Sequence, residues 1–264
     1  MDLQLSGKVA LVTGSTAGIG AAVAAGLARE GAVAIVNGRT EGRVTSAIKL
    51  IQQKFPQAKV EGFAGDLSTA EGFGALKAKY PRLDILVNNL GIFNPQPFED
   101  ITDDEWRRFF EVNVLSGVRL SRYYLPIMKE QNWGRIVFIS SESAIQIPVE
   151  MIHYGFTKTA QLAISRGLAE TTANTGVTVN AVLPGPTASE GVSDFVEKLA
   201  QGGNQSVADF ERMFFEKVRP TSLLKRFATT EEVANLVVYL CSPLASATNG
   251  AALRVDGGVV RTIV

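Results

Sequence analysis

The 264 residues predict a three-layer α/β domain built on a parallel sheet. Three observations carry that expectation. Short apolar runs alternate with helical patterns along the whole chain. Glycines at 14, 18 and 20 sit between the first run and the first helix. No internal repeat breaks the sequence into copies, and an apolar share of 46% suffices for one substantial core.

Lys8 to Thr13 contains Val9-Ala10-Leu11-Val12, a strand buried on both faces, and leads into an alanine-rich helix from Ile19 to Glu30. Gly14, Gly18 and Gly20 permit either a flexible turn or close backbone approach to a ligand, with the helix N–H groups facing a pyrophosphate. Ala32 to Val36 is strand two, ending in Asn37-Gly38-Arg39-Thr40. In a dinucleotide fold an acidic residue here would bind a free ribose 2′-hydroxyl. None is present, and the Arg39 fork suits a 2′-phosphate unless it is merely solvated.

Residues 43–55 read as helix and 59–63 as strand three. Asp66 then either meets an adenine amino group or holds a turn. Ser68-Thr69-Ala70-Glu71 has the form of a capping box. Leu83 to Val87 is strand four, and Asn88-Asn89-Leu90-Gly91 is either ligand-side geometry or turn chemistry. A second box, Thr102 to Glu105, opens a long helix to about Lys129 that Pro126 should bend or end. Asn113 lies in an apolar run of that helix, as packing glue or as a water-holding relay.

Ser140 and Ser141 stand at the end of the fifth strand, 135–139. Tyr154 and Lys158 are four residues apart in a segment that continues helically to Thr171, so they share a face. A lysine ammonium beside a phenol favours phenolate, which would let Tyr154 act as a general acid/base near neutral pH. Ser141 would polarise a substrate carbonyl. The plain alternative is an amphipathic helix with a solvated lysine. Strand six spans 177–183 and ends in Pro184-Gly185. Residues 188–220 are irregular and suit a lid over a pocket. Thr229 to Glu232 caps the last helix, and strand seven covers 251–255.

Composition excludes several classes. The 26 basic and 26 acidic residues cancel, which gives no electrostatic case for a nucleic-acid or membrane partner. The single cysteine, Cys241, rules out an internal disulfide framework and reads as a buried thiol. With one histidine, His153, and scattered carboxylates, no metal site is expected. No Walker lysine follows the first glycines. The start of the chain lacks a signal-type region and no apolar stretch reaches membrane length, so a cytoplasmic protein is expected.

Taken together these motifs resemble the short-chain dehydrogenase/reductase family across nearly the whole chain. Thr13-Gly14-x-x-x-Gly18-Ile19-Gly20 matches its cofactor loop, Asp66-Leu67 its adenine contact, and Asn88-Asn89-Leu90-Gly91 its Asn-Asn-Ala-Gly motif except at Leu90. Asn113, Ser141, Tyr154 and Lys158 fall where its catalytic tetrad falls, and the thirteen-residue step to Tyr154 selects Ser141 over Ser140. The resemblance implies a Rossmann fold with a seven-stranded parallel sheet. It implies hydride transfer between NADP(H), or less favourably NAD(H), and a carbonyl or secondary alcohol. Tyr154 would donate the proton and Ser141 would bind the substrate oxygen. Lys158 would lower the tyrosine pKa and hold the nicotinamide ribose, and Asn113 would hold a water linked to Lys158. Gly14, Ser15, Thr16, Gly18, Ile19, Gly20, Arg39, Asp66, Leu67, Asn89, Gly91, Tyr154, Lys158, Pro184, Gly185 and Ser189 would bind the cofactor.

A homotetramer or homodimer is implied as well. Helices 102–129 and 151–173 would be covered at the interface, with Phe109, Phe110, Tyr123 and Tyr124 as the surplus aromatic surface. The alternative is a catalytically silent nucleotide-binding regulator or scaffold on the same fold. Four departures bear on the site. Leu90 could narrow the cleft, and Glu142 and His153 could line a polar pocket or face solvent. Ala17 sits where NADPH-preferring relatives often carry a basic residue.

Overall fold

The structure, a computed structural model, describes residues 2–190 and 206–263. Seven strands form one parallel sheet: β1 (Val9–Val12), β2 (Val33–Gly38), β3 (Val60–Ala64), β4 (Ile85–Asn88), β5 (Gly134–Ile139), β6 (Val177–Pro184) and β7 (Ala252–Val255). Their order is β3-β2-β1-β4-β5-β6-β7. The order reverses direction between β1 and β4, and a crevice beyond the carboxyl ends at such a switch point is where open α/β sheets bind ligands.

The described helices are α1 (Gly18–Arg29), α2 (Glu41–Lys54), α3 (Ala70–Lys79), α4 (Asp103–Phe110), α5 (Ser116–Glu130), α6 (Ile152–Glu170), α7 (Val207–Met213) and α8 (Thr230–Leu240). Side chains alternate across each strand. Ala10 and Val12 of β1 therefore pack with α1, α2 and α8, while Leu11 packs with α3, α5 and α6 on the other face. These two apolar layers are why the strands read as nearly unbroken apolar runs. No helix among the described residues is long and apolar enough to cross a membrane. Cys241 is fully buried at the end of α8, and burial pushes its thiol up to about 12.

Several local expectations change. Thr69, not Ser68, caps α3, accepting from Gly72 N, because Ser68 is held by Asp66. At α4 only half of the box forms: Thr102 accepts from Glu105 N, and the Glu105 carboxylate pairs with Arg108 instead. The box at Thr229 and Glu232 is complete. Pro126 does not end α5. It and Arg122, whose carbonyl loses its helical partner, both face solvent, where water can satisfy that oxygen. The long helix is interrupted instead at Glu111–Leu115 by a π turn, a wider coil frequently found at functional sites. Phe109 and Tyr124 are buried within their own chain and Tyr123 is partly covered, so of the four surplus aromatics only Phe110 is exposed.

Candidate functional site

The chain leaves β1 through Gly14 and enters α1 at Gly18, at φ +59° and +58°, left-handed values that strain residues bearing a Cβ. Ala17 precedes α1 in extended conformation and supplies no side-chain cap, so the first helical N–H groups are free for an anion. Gly20 is required for close approach: a Cβ there would lie 2.5 Å from Asn89 Nδ2 and 2.7 Å from the Gly14 carbonyl. The loop is braced from three sides. Gly14 N donates to Asn37 Oδ1 at 3.0 Å, and Asn89 Nδ2 donates to the Thr13 and Gly14 carbonyls at 2.8 and 3.1 Å. The Ser15 hydroxyl donates to the Val12 carbonyl and accepts from Asn37 N. Ser15 is fully buried, so its hydroxyl is not offered to a phosphate, contrary to expectation.

A cavity of about 1030 Å³ lies over the switch point. Gly18, Ile19 and Gly20 line one end, with Ser189 facing Gly18; a Cβ on Gly18 would come within 3.2 Å of Ser189 Cβ. Asn89, Gly91, Pro184 and Gly185 line the middle, and Ser141, Tyr154 and Lys158 the far part. Gly14, Ser15, Thr16, Arg39, Asp66, Leu67 and Asn113 stand outside this lining. One Asp66 oxygen is occupied by Ser68, and the Leu67 side chain is buried in the core. Leu90 does not narrow the cleft: it packs on the core and against Gly14.

Lys158 is 5% exposed, and its Nζ donates to the Ile139 carbonyl at 2.8 Å and lies 5.5 Å from the centre of the Tyr154 ring. Burial brings its pKa from 10.5 down to about 8, since desolvation penalises the ammonium. Desolvation and then the Glu142 carboxylate push Tyr154 above its ordinary value, outweighing the neighbouring Ser141 hydroxyl and the charge of Arg219. The expected dominance of lysine over the phenol therefore gives way to desolvation. Tyr154 is held protonated at neutral pH, the form that proton donation requires.

Ser140 lines the cavity as well, but its hydroxyl is spent on the Lys158 carbonyl. Ser141 Oγ donates to Glu142 Oε2 at 2.6 Å and accepts from Ser143 N at 3.1 Å. One lone pair of Ser141 is left for another partner. Glu142 lines the cavity; His153 does not, being fully buried between Phe109 and Trp106. The other Glu142 oxygen pairs with Arg219 Nε at 2.9 Å, and Arg219 Nη1 reaches Glu150 at 3.3 Å. Both ends of the Asn113 side chain are held by protein, with Oδ1 accepting from Ile92 N at 2.8 Å and Nδ2 donating to Ile92 O and Thr157 Oγ1 at 3.0 Å each. It holds the loop after β4, and one lone pair of Oδ1 is left over.

Sequence reasoning missed Arg219, Arg43 and Gln161. Arg219 lies 77 residues from Glu142 and carries no motif. Arg43 lines the cavity near Glu190, at 3.5 Å. Its signal was available four residues beyond Arg39, in the first turn of α2. Part of the expected lid, residues 191–205, lies outside the described residues. The later part, α7 and the π turn Phe214–Val218, packs Phe210, Met213, Phe214 and Phe227 together on the cavity rim.

A sheet crevice with a glycine-lined end and a Tyr-Lys pair beside a serine makes up the candidate site. A family model described as enoyl-(acyl carrier protein) reductase matches residues 14–260. The chain is 53% identical over 263 residues, covering all of both proteins, to the uncharacterized oxidoreductase YvaG of Bacillus subtilis. It is 33% identical to the 3-oxoacyl-(acyl-carrier-protein) reductase FabG of Aquifex aeolicus, over 98% of this chain and 100% of that one. The crystal structure of L-sorbose reductase from Gluconobacter frateurii, complexed with NADPH and L-sorbose, superposes with a TM-score of 0.93 at 32% identity, covering both chains completely. The chain belongs to the short-chain dehydrogenase/reductase family and is an enzyme of that family.

Proposed function

We propose that the chain catalyses hydride transfer between NADP(H) and a small carbonyl or secondary alcohol substrate. The observation that carries the reading is the convergence of Tyr154, Lys158 and Ser141 on one wall of a cavity whose other end is the glycine loop. The residues fit a dinucleotide: the uncapped start of α1 and its glycines suit a pyrophosphate, and the buried Lys158 ammonium suits ribose hydroxyls. When bound, the nicotinamide supplies or takes the hydride.

The protein manages the proton. In reduction Tyr154 hands its phenolic proton to the carbonyl oxygen, and the Lys158 charge stabilises the phenolate that remains. Ser141 receives an alcohol hydroxyl on its remaining lone pair as it stands; to donate to a carbonyl it must turn its hydrogen away from Glu142. Asn113 is a positioning residue here, tying the loop at Ile92 to the π turn. The polar Glu142–Arg219–Glu150 cluster and the surrounding Phe93, Met151 and Phe214 suit a small substrate with both polar and apolar faces. L-sorbose, bound by the Gluconobacter reductase, is of that kind.

NADP(H) is the preferred cofactor in this reading. Gly38 carries no carboxylate to repel a 2′-phosphate, and a Cβ there would lie 2.4 Å from Thr16 Cγ2, so a side chain at this position would force Thr16 to shift. Arg39 is exposed just beyond β2, and Arg43 supplies the second cation that Ala17 does not. The described rim residues 206–220 act as part of a lid, in a single cytoplasmic domain that assembles as a homodimer or homotetramer. Steady-state turnover with carbonyl and alcohol panels, followed at the nicotinamide absorbance with each cofactor, tests the reading. Turnover with no panel member, or faster turnover with NADH than with NADPH throughout, would refute it.

A further inference from the structure

Gln161 stands three residues after Lys158 on α6 and is 2% exposed. Its Nε2 lies 2.5 Å from the main-chain carbonyl of Asn113, in the π turn. A carbonyl oxygen only accepts, so the amide nitrogen must face Asn113 and the amide oxygen must face the other way. That oxygen is aimed at Lys158 Nζ, at 3.5 Å. The same Nζ donates to the Ile139 carbonyl. The amide thus bridges two residues of the expected tetrad.

We infer that Gln161 is a positioning residue that holds the Lys158 ammonium and couples it, through one amide, to the π turn at Asn113. The inference rests on the reading of Lys158 as a catalytic group. In a desolvated place an ammonium needs acceptors to stay charged. The Ile139 carbonyl supplies one acceptor and the Gln161 oxygen the second. The dipole has the right sense: the Asn113 carbonyl polarises the amide N–H and enriches the oxygen that faces the lysine. The connection between Lys158 and the π turn runs through the Asn113 carbonyl, while the Asn113 side chain holds Ile92 and Thr157.

The charged and titratable groups facing Lys158 limit what else sets its protonation. Tyr154 lies on its own helix. Glu142 and Arg219 face Tyr154 from the turn after β5 and from the segment after α7. The end of β4 and the π turn contribute the neutral groups Gly91 and Asn113. Gln161 is the side chain in direct contact that can be changed without changing a charge.

The test reads the lysine directly and needs neither substrate nor cofactor, so it stands or falls apart from the proposed reaction. The full chain is labelled with carbon-13 at lysine Cε, and the Lys158 resonance is assigned by its loss in Lys158→Met. Gln161→Met keeps the volume and removes both amide contacts. Its Lys158 titration midpoint is expected to fall by about one pH unit, because the ammonium has lost an acceptor. Thr157→Val removes a hydroxyl that bonds Asn113 in the same π turn but none of the acceptors of Lys158 Nζ, and is expected to leave the midpoint in place. In the unaltered protein the Gln161 side-chain amide resonance should titrate with the Lys158 midpoint, a measurement independent of whether either variant folds. An unmoved midpoint in Gln161→Met, equal shifts in both variants, or a flat amide resonance would overturn the inference.

Discussion

Lys158→Met should make the fold more stable near neutral pH and less stable in alkali. The lysine is held at about 8 against an ordinary 10.5, so burying its charge costs about 3 kcal/mol wherever both folded and unfolded states are protonated. Methionine has nearly the stem volume of lysine and carries no charge. It leaves the Ile139 carbonyl, and the more distant Gln161 oxygen, without their donor, a combined loss of about 1–2 kcal/mol. The difference is a net gain of about 1–2 kcal/mol for the variant at pH 7. The sign with pH comes from the depressed pKa. Between about 8 and 10.5 the unfolded chain binds more protons at this site than the folded one, so the unmodified protein regains stability as pH rises. Above that window only the lost hydrogen bond remains, and the variant should be the weaker by about 1–2 kcal/mol. Urea unfolding of both proteins at pH 7 and pH 10.5, at one protein concentration and without cofactor, measures the two differences. A variant less stable at pH 7, or a gap that does not change with pH, would show that the ammonium is not desolvated and that the reasoning fails.

The other predictions concern the reaction and its cofactor. Tyr154→Phe removes the phenolic proton and should lower kcat by about 10² or more while leaving the cofactor dissociation constant within a few-fold, as single-turnover and binding measurements can show. Arg39→Ala and Arg43→Ala should each weaken NADPH binding by about tenfold or more and NADH binding little; equal losses for both cofactors would mean that neither guanidinium meets the 2′-phosphate. Gly38→Asp should destabilise the chain by about 1–3 kcal/mol through contact with Thr16, and the pair with Thr16→Ala should recover most of it in thermal melts.

Much of this protein was legible in its sequence because the relevant physics is local. Strand burial on both faces imposes apolar runs such as Val9 to Val12, and left-handed backbone imposes Gly14 and Gly18. Four-residue helical spacing puts Tyr154 and Lys158 on one face before any tertiary contact is known. The tertiary structure decided the rest. Asn113 sits in a π turn rather than a regular helix, and Ser15 spends its hydroxyl on β1 and β2. Arg219 finds Glu142 across 77 residues, and Gln161 finds the Asn113 carbonyl across 48. Local periodicity does not encode such pairs. Whether a polar side chain serves the site, the fold or solvent depends on which partners the closed sheet brings within about 3 Å of it, and on how much water that closure removes.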